Sequence, residues 1–158
     1  MTETETNELL NAWQPYIDEL GDWQARVTEL GLEPKATGCG PVYEFGTPLP
    51  ERGTEEFAIA DMRDLAAAEP HYHPNGETEI YVILSGHGKV VVGGKEIDVQ
   101  KGSVVVTPPD TTHFTIPADN LVLAVINSPS FNPANYVTIT ETNPDVGFDK
   151  EQFLRLSA

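Results

Sequence analysis

The stretch HYHPNGETEIYVILSG, residues 71–86, decides the fold of this chain. Its two histidines, His71 and His73, lie two positions apart, so on a β-strand their side chains share one face. Glu79 then opens an apolar run, residues 80–84. The stretch therefore predicts β-structure in which metal-binding residue types stand directly before a buried strand.

A second stretch, GSVVVTPPDTTH at residues 102–113, also ends on a histidine. A run of β-branched residues leads into Pro108-Pro109, and His113 follows four residues later. Imidazole and carboxylate groups together suit transition metals, whereas calcium prefers a set made only of oxygen atoms. We therefore expect one divalent transition metal (Fe, Mn, Ni, Cu or Zn) to be bound by four side chains: His71, His73, Glu79 and His113.

Glu77 is the alternative to Glu79 as the fourth ligand. It has the same strand parity and a shorter spacing from His73. We prefer Glu79 because it directly adjoins the apolar run, where the backbone is expected to be extended. Glu77 follows the turn pair Asn75-Gly76 and is expected on a loop. Both carboxylates remain open at the level of sequence.

From about residue 42 onward, short β-rich runs alternate with turns. The pair Gly93-Gly94 between two such runs is the signal of a tight hairpin. The absence of helical patterns between the runs favours an antiparallel sandwich or barrel. The predicted strands lie near residues 42–46, 56–62, 70–73, 79–84, 88–92, 95–99, 103–107, 112–116, 121–127 and 135–140.

Helical periodicity is confined to the two ends of the chain. Residues 7–33 carry apolar side chains, Trp13 among them, at spacings of three and four. A short helix is expected around residues 150–156. The predicted organisation is a helical extension (1–36), a β-barrel (37–140) and a tail with a short helix (141–158).

Two of the predicted strands, at residues 80–84 and 121–126, are apolar on both faces. An antiparallel strand with one face in water should instead alternate with polar residues. The outer face must therefore be covered by the N-terminal helices or by a second subunit. We predict a homodimer.

The chain is strongly acidic, with a net charge of −16 over 158 residues. Such a surface repels phosphate backbones and anionic membranes, which argues against nucleic-acid and membrane partners. No apolar stretch approaches the ~20 residues that a membrane span needs, and the acidic start does not resemble a secretory signal. Cys39 is the only cysteine, so we expect no internal disulfide, an ordinary thiol and a cytoplasmic location.

Taken together, the two stretches resemble the two motifs of the cupin superfamily. The resemblance implies an all-β fold, a double-stranded β-helix or jelly-roll barrel with the metal inside, carrying here a short N-terminal helical extension. The matching positions are His71-x-His73, five residues, Glu79, six residues and Gly86 for the first motif. For the second they are Gly102, five residues, Pro108 and His113.

The chain departs from the cupin pattern at three points. The spacing from His73 to the glutamate is one residue longer than usual. Asp110 stands where the second motif normally has glycine, so its turn must place a non-glycine residue at positive φ. Pro117 stands where that motif usually ends in asparagine. None of these departures removes a ligand.

Cupins carry out many chemistries, so the resemblance leaves three functions open. A dioxygenase-like oxidoreductase, similar to quercetin-dioxygenase-like and germin-like cupins, would use Glu79 as both ligand and catalytic base. An isomerase of a sugar or sugar phosphate, similar to phosphomannose-isomerase-like cupins, would need a cluster of cations, for which Arg63 and Lys89 are the few candidates. A non-catalytic cupin would use the metal to hold a small ligand. We favour the first function, because the inward positions are mostly apolar.

Strand parity also predicts the surroundings of the metal. Tyr81 and Ile83 share the inward parity of Glu79, so we expect them in the wall of the substrate pocket. Tyr81 has either of two roles there, donating a hydrogen bond to the substrate or filling the barrel. His87 lies between two glycines and is expected in an exposed turn without a ligand role. Phe114 directly follows His113 and should point away from the metal.

Overall fold

The structure, a computed structural model, describes residues 2–46 and 56–158. Over these residues the middle of the chain forms strands, and helices lie at the two ends. The helices are α1 (Glu3–Glu19), α2 (Trp23–Leu30) and α3 (Lys150–Ser157). The strands are β1 (Lys35–Thr37), β2 (Gly40–Gly46), β3 (Glu56–Asp61), β4 (His71–Tyr72), β5 (Thr78–Val92), β6 (Lys95–Gln100), β7 (Val104–Thr107), β8 (His113–Ser128) and β9 (Val137–Thr138).

Two long strands, β5 and β8, form the centre of the sheet. They pair antiparallel from Thr78 opposite Ser128 to Val92 opposite His113. β5 also pairs with β6 and β7, whereas β8 also pairs with β3 and β4. β1 and β2 extend the sheet beyond β3, and β9 extends it beyond β4. The predicted all-β, jelly-roll architecture with helices at the N-terminus is confirmed, although β1 was not expected from the sequence.

The prediction of a turn at Gly86-His87-Gly88 is wrong. β5 runs through these residues as one strand and shifts its register against β8 between Ile83 and Gly88. Gly86 has a φ of 72°, and a Cβ atom there would clash with backbone carbonyl groups of β8. Glycine therefore allows the strand to bend at close backbone approach instead of turning back. The strands predicted at 112–116 and 121–127 are likewise one continuous strand, β8.

Two other turn predictions are confirmed. Gly93 and Gly94, with φ of 56° and 83°, connect β5 to β6 in a hairpin that pairs Val92 with Lys95. Positive φ at both central residues is what the two-residue hairpin with matching twist requires. Asp110 has a φ of 55°, the left-handed conformation that its turn was expected to demand of a non-glycine residue.

The N-terminal helices cover the outer face of the sheet. α1 begins with a capping box, in which Thr2 and Glu5 each accept a hydrogen bond from the other's backbone N–H. Trp13 on this helix packs against Phe57 of β3 with ring centroids 4.7 Å apart. The outer cluster also contains Leu9, Leu20, Ile59, Ile80, Val82, Val122, Ala124 and Ile126. The apolar outer face is thus covered by the chain itself, and the homodimer stays a prediction without that support.

The inner face of the same strands fills one end of the barrel. Ile83 is 1% exposed and packs in this inner cluster, together with Tyr81 at its edge towards the candidate site. The other members are Ala60, Met62, Ala68, Val90, Val99, Val105, Leu121 and Leu123. Burial on both faces explains why these strands do not alternate between apolar and polar residues.

Helix α3 covers a separate part of the outer surface. Phe153 of α3 contacts Phe114 of β8 at 5.1 Å between ring centroids, and Phe148 and Val91 complete this cluster. Phe114 therefore packs in the cluster under α3, on the face of β8 that strand parity predicted, whereas its neighbour His113 does not belong to this cluster. None of the described helices is both long and apolar enough to cross a bilayer.

Removal of the Trp13 side chain tests whether α1 seals the sheet. We expect Trp13→Ala to lower the free energy of unfolding by about 3–5 kcal/mol, because the residue is fully buried and its loss leaves a cavity. Urea denaturation followed by circular dichroism measures the change. Leu30→Ala, at a position of α2 that is 49% exposed, is the control and should stay within about 0.5 kcal/mol of wild type. Equal effects of the two changes would contradict the role given to α1.

Candidate metal centre

Three separate stretches of the chain bring four polar side chains together inside the barrel. His71 lies on β4 and pairs directly with His113, the first residue of β8. Glu79 lies at the start of β5, and His73 directly follows β4. All four side chains are buried, and one ligand atom from each lies within 4.8 Å of the others. The structure therefore brings together the ligand set that the sequence proposed.

The glutamate lies between two of the imidazoles. Glu79 Oε2 is 3.0 Å from His73 Nε2, and Glu79 Oε1 is 3.3 Å from His113 Nε2. The His71 ring centroid lies 4.9 Å from that of His73 and 4.3 Å from that of His113. Such spacing leaves room for one ion shared by all four groups, and for no larger cofactor between them.

Backbone carbonyl groups set the tautomer of all three histidines. His71 Nδ1 lies 2.8 Å from the carbonyl oxygen of Glu69, and His113 Nδ1 lies 3.1 Å from that of Thr111. His73 Nδ1 lies 3.1 Å from the carbonyl oxygen of Asn135. A carbonyl can only accept, so each Nδ1 carries the proton and donates it. In its neutral form each ring then has a free Nε2 lone pair, which is the arrangement found where histidine binds a metal.

The buried Nε2 atoms support the fit to a metal. Within the described part of the chain, His73 Nε2 and His113 Nε2 are buried, and neither has a hydrogen-bond partner other than the Glu79 carboxylate beside it. A lone pair that faces a carboxylate oxygen leaves both groups uncompensated unless a proton or a cation lies between them. Three imidazole nitrogens and a carboxylate fit a divalent transition metal, with positions left open for a further ligand.

Asn127, which the sequence analysis missed, links the two candidate carboxylates. It lies opposite Glu79 in the pairing of β5 with β8. Its Nδ2 donates to Glu79 Oε2 and to Glu77 Oε1, at 3.0 Å each. In the sequence, Asn127 is the polar residue that ends the apolar run at residues 121–126, and this position could have indicated a role for it. Glu77 lies outside β5, on the expected loop, but it is only 1% exposed.

The ionisable groups of the cluster shift one another's pKa values. Burial, reinforced by His113, lowers the pKa of His71 to about 3, so this imidazole is neutral. Burial would raise the pKa of Glu79, but contacts with His113 and His73 hold it well below its ordinary value. Burial would lower the pKa of His73, but Glu79 and then Glu77 raise it. His73 is therefore the imidazole at which a proton competes with a metal.

A cavity of about 380 Å³ opens onto this cluster. Tyr81 is part of its wall, whereas Ile83 lies deeper in the inner cluster and is not among the described lining residues. Most of the exposed surface of the wall is apolar, and residues with wholly apolar side chains contribute to it: Val42, Ala58, Ala60, Met62, Val125, Phe131 and Pro133. The polar groups lining it are Lys35, Thr37, Cys39, Glu44, Glu56, His71, His73, Glu79, Tyr81, Asn127 and Tyr136.

Two tyrosines contribute protonated phenols to the cavity wall. Burial, together with the Glu79 carboxylate, holds the pKa of Tyr81 well above its ordinary value. Tyr136 stacks on the His71 ring with centroids 4.2 Å apart, and its hydroxyl donates to Glu69 at 2.9 Å. Burial raises the pKa of the Cys39 thiol to about 12, which keeps it protonated and unreactive.

The cationic candidates lie elsewhere. Arg63 pairs with Asp61 at 2.8 Å, and Lys89 pairs with Asp98 at 2.9 Å. Neither is among the described residues that line the cavity. Lys35 does line it, and its ammonium group pairs with Glu44 at 2.8 Å. The His87 side chain is 60% exposed, and it is not part of the buried cluster.

Comparison with protein families and curated sequences gives one match. A family model described as a cupin domain matches residues 62–126, the segment that contains all four clustered side chains. No curated protein sequence matches this chain.

Comparison with solved structures finds the same barrel. A variant of the nucleoside dehydratase PAC13 from Streptomyces, with uridine, has a TM-score of 0.60 at 10% identity, over 72% of this chain and 88% of that chain. A protein from Planctomyces limnophilus has a TM-score of 0.57 at 25% identity, over 67% and 89%. KdgF from Halomonas sp. has a TM-score of 0.52 at 16% identity, over 65% and 89%. The likeness to PAC13 and KdgF is one of fold alone.

Separate substitution of Glu79 and Glu77 distinguishes the carboxylate that binds the metal from the one that lies beside it. We expect Glu79→Gln to abolish most metal retention, because it removes the only anionic member of the cluster. Glu77→Gln should retain metal, with affinity lowered about 10–100-fold as for other groups that orient a ligand. Elemental analysis after gel filtration measures the metal content of both variants. Equal retention by the two would contradict the assignment of Glu79.

Metal affinity should depend on pH through His73. Its pKa is raised, so its proton competes with the metal up to a higher pH than an ordinary histidine would allow. We expect the apparent affinity to fall as the pH is lowered through this raised pKa, with proton release on binding. Calorimetric titration with Zn²⁺ in buffers of different ionisation enthalpy measures the protons released. Binding without proton release near neutral pH would contradict this expectation.

Proposed function

Because this chain carries a cupin domain and belongs to the cupin superfamily, we propose that it binds one divalent transition metal and acts on a small organic molecule in its cavity. The observation that carries the proposal is the convergence of three imidazole nitrogens and one carboxylate oxygen within 4.8 Å, with each imidazole oriented through Nδ1. The ligands would be His71, His73, Glu79 and His113.

We propose an oxidoreductase of dioxygenase type as the activity. A redox-active ion bound here would supply oxygen activation and would lower the pKa of a substrate hydroxyl. The protein contributes a largely apolar cavity, which favours a small apolar or aromatic substrate and excludes bulk water. Tyr81 and Tyr136 contribute protonated hydroxyl groups along the same wall.

Glu79 would have two roles in this activity. As a ligand it supplies negative charge, and as a base it would accept a proton from the substrate. Its contacts with His113 and His73 hold its pKa low, so it is ionised but weakly basic. It would therefore serve only substrates whose own proton is made acidic by binding.

A sugar-phosphate isomerase is a weaker candidate. Recognition of a phosphate group requires several donors or cations close together. Among the described residues that line the cavity, Lys35 is the one cationic side chain, and it is already paired with Glu44. A non-catalytic ligand-binding cupin would have the same metal site, so an activity measurement is what distinguishes it from an enzyme. The cytoplasmic location and the homodimer stay predictions from the sequence.

Elemental analysis of protein purified without added metal, joined to oxygen consumption, tests the proposal. We expect stoichiometric iron, copper, manganese or nickel, and oxygen uptake with at least one flavonol or diketone. His113→Ala should lose metal and lower turnover at least ~100-fold, because a ligand is removed. His87→Ala changes the same residue type at an exposed position and should behave as wild type.

Stoichiometric zinc with substrate binding but no oxygen uptake would overturn the oxidoreductase and favour a non-catalytic or isomerase role. Absence of any bound metal, with none taken up on addition, would overturn the metal-dependent function altogether.

A further inference from the structure

Phe131 is an aromatic side chain of the cavity wall that belongs neither to the metal centre nor to the apolar clusters of the barrel. It is only half-buried. Its ring centroid lies 6.1 Å from that of His73, one of the four proposed ligands. The ring of Phe131 therefore lies beside the metal centre and borders the space that a bound molecule would fill.

The two tyrosines of the same wall are already engaged with other groups. Tyr136 stacks on His71 with an angle of 17° between the ring planes, so one face of its ring is covered. Its hydroxyl donates to Glu69. Tyr81 is 4% exposed, so protein atoms enclose its ring. Neither tyrosine offers a bound molecule a ring that is free of protein contacts.

The ring of Phe131 has no stacking partner among the described residues. Its ring plane is nearly perpendicular to that of His73, at 83°, and to that of Tyr136, at 80°. No described aromatic side chain lies parallel to it. Aromatic rings gain stability from offset-stacked or edge-to-face contact with a second planar group. A planar molecule in the cavity would supply the parallel partner that the protein does not.

The main chain holds Phe131 in place at the cavity. Its backbone N–H donates to Glu56 Oε2 at 2.9 Å. Four residues later, the carbonyl oxygen of Asn135 accepts from His73 Nδ1 at 3.1 Å, and Asn135 Oδ1 accepts from Asn75 Nδ2 at 3.0 Å. Both ends of this segment are therefore anchored. A ring that is fixed before a ligand arrives loses less entropy on binding and discriminates more sharply between ligand shapes.

The rest of the apolar wall has no preference for planar molecules. Apart from Phe131, its wholly apolar side chains are not aromatic: Val42, Ala58, Ala60, Met62, Val125 and Pro133. Such side chains contact any apolar shape, since burial of apolar surface is not directional. The cavity volume of about 380 Å³ is near the lower end of the range for ligand pockets, roughly 300–1,000 Å³. One small molecule, positioned between the metal and Phe131, would fill it.

We propose that Phe131 is a specificity-determining residue, which stacks on the planar ring of a substrate whose oxygen atoms occupy the open positions of the metal. The inference rests on the proposed metal binding and narrows the substrate of the same site to aromatic or conjugated cyclic molecules. A flexible aliphatic molecule with the same oxygen groups would bind the metal without the contact to Phe131.

Two hydroxamates test this selectivity, because they share one metal-binding group and differ in what it carries. Benzohydroxamate carries a phenyl ring, and acetohydroxamate carries a methyl group. Both are titrated calorimetrically into zinc-loaded wild type and Phe131→Leu, since zinc has no redox chemistry that could consume the probes. We expect the benzohydroxamate affinity of Phe131→Leu to fall about five- to tenfold, because leucine is apolar but has no ring. The acetohydroxamate affinity should change less than about twofold.

Phe153→Leu is the matched control. It makes the same change in α3, where Phe153 contacts Phe114 and is not among the described residues that line the cavity. Both hydroxamates should bind this variant as they bind wild type. Phe131→Tyr keeps the ring and should retain the benzohydroxamate affinity of wild type to within about twofold. Each probe is compared only with itself, so the different acidities of the two hydroxamates do not affect the result.

Loss of affinity by the same factor for both hydroxamates in zinc-loaded Phe131→Leu would overturn the inference, because Phe131 would then only shape the metal site or its entrance. Unchanged affinity for both would overturn it as well. Phe131→Met replaces Phe131→Leu if the latter does not fold, and failure of both to fold would assign Phe131 a purely structural role. In all these cases the zinc content and acetohydroxamate binding of wild type still support the metal site. If wild type takes up no divalent metal, the proposed function fails, and this inference fails with it.

Discussion

Antiparallel pairing of β5 with β8 is the constraint on which the rest of the molecule depends. The pairing sets Glu79 opposite Asn127 at one end and Val92 opposite His113 at the other. Because β4 then pairs with β8 at His113, His71 is placed beside the same point. His73 and Glu77 lie just outside the strands, whereas main-chain hydrogen bonds between strands position His71, Glu79, His113 and Asn127. A slip of one residue would turn each of them to the opposite face of the sheet.

The same pairing explains how one strand serves two environments. On β5, Glu79 and Tyr81 face the cavity, whereas Ile80 and Val82 pack beneath the N-terminal helices. The outer layer shields the hydrogen bonds of β5 and β8 from water and so supports the geometry inside. Rigid placement matters here, because metal ligands must be held to within a fraction of an ångström before the ion binds. The covering helix is thus part of what prepares the site.

The centre concentrates polar groups that a folded core normally avoids. His73 lies between Glu79 and Glu77, and its Nε2 and that of His113 are buried with no hydrogen-bond partner other than the Glu79 carboxylate. Uncompensated burial of such groups destabilises a protein. An ion bound to the Nε2 atoms would convert this cost into coordination bonds. The same buried polar groups would therefore destabilise the metal-free protein and give it affinity for a metal ion.

Much of the β-structure and the candidate ligand set could be predicted from local pattern, and the jelly-roll barrel from the resemblance to the cupin motifs. The spacing of His71 and His73, the apolar run after Glu79 and the histidine after Pro108-Pro109 carry information that depends only on strand periodicity and turn chemistry. The Gly93-Gly94 hairpin followed from the same kind of reasoning, whereas the positive φ of Asp110 followed from the resemblance to the second cupin motif. The turn expected at Gly86 failed, because a glycine that permits close approach of another strand has the same local signature as one that permits a reversal.

The places of Asn127 and Tyr136 and the burial of Glu77 were decided by tertiary structure alone. Each acts through a partner that lies about fifty or more positions away in the chain, so no local window contains the pair. The sequence determined which residue types could bind a metal and that they would lie on strands. Only the folded sheet decided that Glu79 lies between two imidazoles, that Glu77 lies beside His73 Nδ1, and that α1 covers the outer face. Glu77 and Glu79 are equivalent in local sequence pattern, and the register of the whole sheet determines which of them lies between the imidazoles.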